Sequence, residues 1–60
     1  MTVKTLVNAL DTCIDKVEYY TKDWDYMFSE DAYTAGKSTS RVKKFRVYES
    51  EETVILMVTV

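Results

Sequence analysis

The chain has no histidine and no proline, and only one glycine and one cysteine among its 60 residues. Without histidine there is no Ser–His or Cys–His couple, so the commonest way of activating a nucleophile is missing and no enzyme activity is expected. The single thiol, Cys13, can close no internal disulfide. With no imidazole beside it, it cannot complete a tetrahedral nitrogen–sulfur zinc site. A lone cysteine suits a reducing compartment, which reads as cytoplasmic. Cys13 lies between Thr12 and Ile14, with Asp15 nearby. Adjacent acid raises a thiol pKa, so the side chain reads as a buried structural cysteine rather than a reactive one. The lack of proline and glycine leaves no flexible linker, so residues 1–60 read as a single domain. No apolar run reaches the roughly 20 residues that span a bilayer. Met1 to Leu10, with one lysine and a broken apolar pattern, does not read as a signal peptide, and no membrane partner is expected.

Hydrophobic residues make up 47% of the chain and charged residues 30%, a globular balance rather than a disordered one. A chain this short buries only about 60% of the surface its unfolded form exposes. Disulfides and zinc being excluded, oligomerisation or docking on another protein is the remaining way to add stability.

Val3, Leu6, Val7 and Leu10 fall at i, i+3, i+4 and i+7, one face of an amphipathic helix over about 3–10. Thr2 is placed to cap it. Residues 13–28 admit two readings. Cys13, Ile14, Val17, Tyr20 and Trp24 continue the helical spacing, which allows one long helix to about Tyr20. Against that, Asp11-Thr12 is a weak helix breaker. Val17 to Thr21 is β-branched and aromatic, Lys22 to Asp25 suits a turn, and Tyr26 to Phe28 suits a returning strand. The hairpin, at about 16–29, is favoured. Ser29 to Ala35 reads as a short helix or turn, with Ser29 as cap, Glu30 and Asp31 in the first turn and Gly36 just past the end. Lys37 to Ser40 reads as loop.

Val42 to Tyr48 reads as a strand with Phe45 and Val47 on one side and Lys44, Arg46 and Tyr48 on the other. Glu49 to Glu52 is a turn and Thr53 to Val60 the last strand, giving a C-terminal hairpin over about 41–60. Val54 to Val58 is apolar on both faces, so both faces should be covered. Either the loop around residues 30–40 folds over one of them, or strand 53–60 is a sheet edge that forms a homodimer or a partner site. The expected fold class is α+β: an N-terminal amphipathic helix packed on a small antiparallel sheet.

The net charge of −2 hides a block structure. Residues 1–31 carry Lys4, Lys16 and Lys22 against Asp11, Asp15, Glu18, Asp23, Asp25, Glu30 and Asp31, a balance of −4. Residues 32–48 carry Lys37, Arg41, Lys43, Lys44 and Arg46 with no acid, a balance of +5, and Glu49, Glu51 and Glu52 follow at −3. Lys43, Lys44 and Arg46 interleave with Phe45 and Tyr48, the combination that single-stranded nucleic acid uses. The acidic pI of about 4.9 opposes that reading, and pairing of these cations with neighbouring acids on a wet strand face is the plainer one. Acids 11/15/18 and 23/25/30/31 would offer a negative surface to a basic protein groove, or merely keep the protein soluble.

No motif implies a cofactor. Gly36-Lys37-Ser38 copies the end of a phosphate loop, but position 31 is Asp where that loop needs glycine, and a strand follows where it needs a helix. Asp23-Trp24-Asp25 lacks the glycine and the distal glutamate of a calcium loop, so no metal site is expected. Tyr19, Tyr20, Trp24, Tyr26, Phe28 and Tyr33 are more rings than a small core hides, and exposed Tyr and Trp anchor interfaces. The partner-binding candidates are therefore Trp24, Tyr26, Tyr33, Lys43, Lys44, Arg46, Tyr48, Asp23, Asp25, Glu30 and Asp31.

The start MTVKTLVNAL, the strand-like VEYY and the closing VKKFRVY and TVILMV segments resemble small proteins of phages and integrated elements of Gram-positive bacteria. The resemblance covers most of the chain. Some small acidic proteins of such elements inhibit host defence, among them anti-CRISPR proteins that bind an effector nuclease. The resemblance therefore implies a non-enzymatic, protein-binding inhibitor in a bacterial cytoplasm, and carries over no functional residue. A nucleic-acid-associated module and a homodimeric assembly protein are the alternatives.

Overall fold

A computed structural model describes residues 1–10 and 13–60. The Asp11-Thr12 step expected to weaken a helix lies outside the described residues, as does the Asp11 side of the first acidic cluster. The elements in chain order are α1 (Val3–Ala9), β1 (Lys16–Tyr20), β2 (Tyr26–Asp31), α2 (Ala32–Ala35), β3 (Lys44–Glu49) and β4 (Val54–Thr59). The chain is an α+β domain, and residues 13–28 take the hairpin reading.

Helix α1 begins where its cap says it should. The Thr2 hydroxyl accepts from the Thr5 N–H at 3.2 Å, satisfying one of the amides that the first turn leaves without a partner. The Val3 and Lys4 amides donate to the carbonyls of Ser40 and Ser38, so loop 37–40 completes the start of the helix. Leu10 is extended and ends it. Helix α2 is a single turn capped by Asp31, whose carboxylate accepts from the Thr34 N–H at 2.7 Å. Ser29, expected as that cap, lies inside β2 because the strand runs three residues further than its apolar part. Gly36 closes α2 in the right-handed region, with φ −64°, so its position does not demand a glycine's freedom.

The four strands are ordered β2-β1-β4-β3. The β1–β2 and β3–β4 pairs are the two expected antiparallel hairpins, but β1 and β4 run parallel, so the sheet is mixed rather than wholly antiparallel. The chain closes each hairpin locally and then lays the two side by side through the 32–43 crossover. This arrangement corrects the expectation for strand 53–60. It is an interior strand, bonded to β1 on one side and β3 on the other, and offers no edge. Its unbroken apolar run follows from that central place. The edges belong to β2 and β3.

Cross-strand pairing divides the side chains between two faces. Val17, Tyr19, Leu56 and Val58 form one row with Glu30, Phe28, Val47 and Phe45 at its ends. Val3 and Leu6 of α1 and Ala35 of α2 pack on the centre of this row, and all seven core residues lie at or below 4% exposure. Each buried aliphatic side chain there contributes about 1.5–3 kcal/mol relative to leaving it in water. Tyr19 stacks on Phe28 with ring centroids 4.5 Å apart, and its hydroxyl donates to Glu30 at 2.7 Å. Burial pushes that hydroxyl up to about 12, helped by Glu30 and opposed by a bond from Ser38. Cys13, expected in the core, is exposed. It sits in the connection between α1 and β1, where Leu10 and Ile14 turn to the core instead.

Candidate functional site: the open face of the sheet

The helices and the 37–40 loop all lie on one side, so residues 30–40 do not cover the second face of β4. That second face carries Lys16, Glu18 and Tyr20 of β1, Ile55, Met57 and Thr59 of β4, and Lys44, Arg46 and Tyr48 of β3. Ser29 and Asp31 of β2 complete it opposite Glu18 and Lys16, and Tyr26 lies opposite Tyr20. Strand periodicity alone puts them there, because opposed residues share a face and neighbours alternate.

One turn residue is folded onto this face. Trp24, in the turn between β1 and β2, has φ +65°, the left-handed region. A residue with a Cβ adopts that conformation at a cost of about 1–2 kcal/mol. The turn is held by the Thr21 N–H donating to the Asp25 carbonyl and the Trp24 N–H donating to the Thr21 carbonyl, both at 2.9 Å. The Thr21 hydroxyl also accepts from the Asp23 and Asp25 amides. The Trp24 ring lies 5.7 Å from that of Tyr20 on β1, while the Arg46 guanidinium of β3 sits 4.5 Å from its centroid. The indole therefore reaches from β1 to β3 over the place of β4, where Thr59 is almost completely buried on an otherwise open face. Thr59 in turn receives the Lys44 N–H on its hydroxyl at 2.9 Å. Tyr26 meets Tyr20 edge-on at 5.7 Å. The result is a cluster of Tyr20, Trp24, Tyr26 and Arg46, with Tyr48 further along β3. Tyr26 is 58% exposed and Tyr48 53%.

The charges on this face are partly neutralised. Lys16 and Glu18, two apart on β1, pair at 3.4 Å. Glu18 also accepts from the Tyr20 hydroxyl at 2.8 Å. Burial first, and then Glu18, hold the Tyr20 pKa above the usual phenol value. Arg46 is stacked on Trp24, and Lys44 beside it adds a second cation. Among the described residues no enclosed cavity and no group of three metal-ligating side chains is present. The chemistry on offer is that of a flat aromatic surface with a cationic corner.

The structure brings Trp24, Tyr26, Lys44, Arg46 and Tyr48 together and disperses the remaining candidates. Lys43 precedes β3 and donates its N–H to the Thr59 carbonyl. Tyr33 is on the helix side, 75% exposed, under the Lys37 ammonium at 4.2 Å. Among the described residues, the acids 23/25/30/31 do not gather into one patch. Asp23 and Asp25 stay in the turn, Glu30 bonds Tyr19, and Asp31 caps α2. Asp15 accepts from the Val54 N–H at 2.7 Å and the Thr53 hydroxyl at 3.0 Å. Those bonds hold its carboxyl below the usual carboxylate range.

Tyr20 and Met57 belong to the face but were not among the partner-binding candidates. Their alternation with Tyr19 and Leu56 was the available signal, masked because both alternating sets are apolar. No family model matches the chain, and no curated protein and no solved structure matches it.

Proposed function

We propose that the chain is a non-enzymatic binding module that docks a protein partner through the open face of its sheet. The observation that carries this reading is Trp24, held in a left-handed turn and laid across three strands against Arg46. A large ring kept on a water-exposed sheet face at a backbone cost is a feature of recognition surfaces rather than of cores. Tyr26 and Tyr48 extend it with half-exposed rings that lose little side-chain entropy on binding. The partner such a surface fits has apolar or aromatic side chains around an acidic group that meets Lys44 and Arg46. The resemblance to phage-type proteins supports an inhibitor of a host nuclease complex as the form this module takes.

A second reading draws on one observation, the gathering of Lys44, Arg46 and Tyr48 beside Trp24 on one sheet face, where single-stranded nucleic acid stacks on rings and pairs its phosphates. The overall charge of −2 and the Lys16–Glu18 pair in the middle of the face weigh against it.

The test is capture from a lysate of the source organism, with and without nuclease, by the wild-type chain and by a Tyr48→Ser variant that keeps its melting temperature. A protein retained by the wild type in both lysates and released by Tyr48→Ser supports the module. Retention only from untreated lysate, weakening steeply between about 50 and 200 mM salt, transfers the face to nucleic acid. Equal retention by both chains removes the open face from the account.

A further inference from the structure

The two edges of the sheet are not alike. On β2 the pairing with β1 shifts between Tyr19 and Tyr20, leaving Met27 as the extra residue of a bulge, and the strand ends in Glu30 and Asp31. Bulges and charges of this kind turn an edge away from further pairing. Strand β3 has no bulge; its cations Lys44 and Arg46 lie on the open side, and Glu49 stands at its end beyond Phe45 and Val47. Its six residues pair with β4 in unbroken register and all are exposed.

The Ser50 N–H donates to the Thr53 carbonyl at 2.8 Å. Continued along the hairpin, that alternation directs the backbone groups of Tyr48, Arg46 and Lys44 to β4, and those of Phe45, Val47 and Glu49 to the free side. Among the described residues no backbone group outside the sheet bonds to Phe45, Val47 or Glu49. Phe45 and Val47 belong to the helix-side row, yet they remain 46% and 43% exposed. The helices pack over β1, β2 and the centre of the row and stop short of β3. An unpaired backbone edge and an apolar pair therefore lie together on one strand.

We infer that this edge is occupied by a second copy of the chain, β3 against β3 in antiparallel array about a two-fold axis through Val47. The strand is self-complementary about this axis. In this register Val47 faces the partner's Val47, and Phe45 and Glu49 exchange backbone bonds with the partner's Glu49 and Phe45. On the open side each Arg46 lies opposite the partner's Tyr48, a cation beside a ring. Of the two registers one step away, the one centred on Arg46 opposes like charges directly, which is disfavoured, and the one centred on Tyr48 sets Val47 against the partner's Glu49. The axis is perpendicular to the sheet, so the uncovered Val47 of one copy meets the partner's Val47 beside the two helical layers, with each Phe45 on the diagonal to it. The small core, limited by length, is extended by the partner. The pairing shares Arg46 and Tyr48 with the proposed docking face, but its tests, solution mass and crosslinking at position 47, need no captured partner.

The test is the solution mass of the whole chain by sedimentation equilibrium, with circular dichroism as the check on folding. The expected result is a mass twice the chain's 7.0 kDa, reduced to that of the monomer by Val47→Lys with an unchanged spectrum. A second measurement fixes the register. In a Cys13→Ser background, Val47→Cys oxidises to a covalent dimer, because Cα atoms of a directly opposed bonded pair lie about 5.5 Å apart, within disulfide reach. Arg46→Cys in the same background does so far more slowly. A monomeric wild type at about millimolar concentration overturns the inference, as does a dimer that survives Val47→Lys. Faster crosslinking at position 46 than at 47 overturns the register.

Discussion

The two faces of this sheet are built from alternate residues of the same strands. On β4, Leu56 and Val58 are fully buried beneath α1, while Ile55 and Met57 between them remain half-buried on the open side. On β1, Tyr19 is enclosed and bonded to Glu30, while Tyr20 stands in a cluster of rings. Composition does not separate the faces, since both are apolar and aromatic. What separates them is which side receives the two helices. A chain of this length has helix enough for one face only, and the face left open keeps residue types that other proteins bury.

The largest expected effect breaks the comparison at neighbouring positions. Leu56→Ala opens a cavity under α1 and lowers stability by about 2–5 kcal/mol, whereas Met57→Ala on the open side lowers it by less than about 1.5 kcal/mol. Denaturant titration of the two variants reads the difference. Equal losses mean that the open face is as closely packed as the covered one.

A smaller effect sharpens the comparison at the tie that aligns β1 with β4. Asp15, exposed, accepts two hydrogen bonds from Thr53 and Val54, which lower its pKa in the folded chain. A carboxyl with a depressed folded pKa adds stability above its unfolded value, near 3.8, and that contribution disappears as pH falls through the folded value. The advantage of the wild type over Asp15→Asn in melting temperature should therefore hold constant at neutral pH and close below about pH 4. Asp31 also titrates low, through its cap on α2, but it is present in both chains and cancels. A gap independent of pH means that the Asp15 bonds do not depend on charge.

How much of this was legible in the sequence follows from where each signal is local. The Thr2 cap, the 3–10 periodicity and the C-terminal hairpin depend on residues close in the chain, and each was readable within a residue or two. The split of Phe45 and Val47 from Lys44, Arg46 and Tyr48 was likewise readable, because polar and apolar residues alternate there. The place of β4 was not. Its apolar run announced two covered sides, but a central strand and a covered edge give the same pattern, and only the parallel pairing with β1 decides between them. The acidic clusters misled for a related reason. Asp15, Glu30 and Asp31 are near in sequence to other acids, yet each is bonded by a different element. Trp24 was named for its type. Its left-handed backbone and its position across β4 depend on Arg46, distant in the chain.

If Trp24 serves recognition rather than stability, as proposed, the melting temperature of Trp24→Gly and its binding of the captured partner part company. Glycine takes φ +65° without strain, so the backbone cost that tryptophan carries is relieved and offsets part of the lost ring packing. The expected result is a stability within about 1 kcal/mol of the wild type and a binding loss of at least about tenfold, the range of an interface anchor. A variant that binds as tightly as the wild type, or one that unfolds under the same conditions, would contradict it.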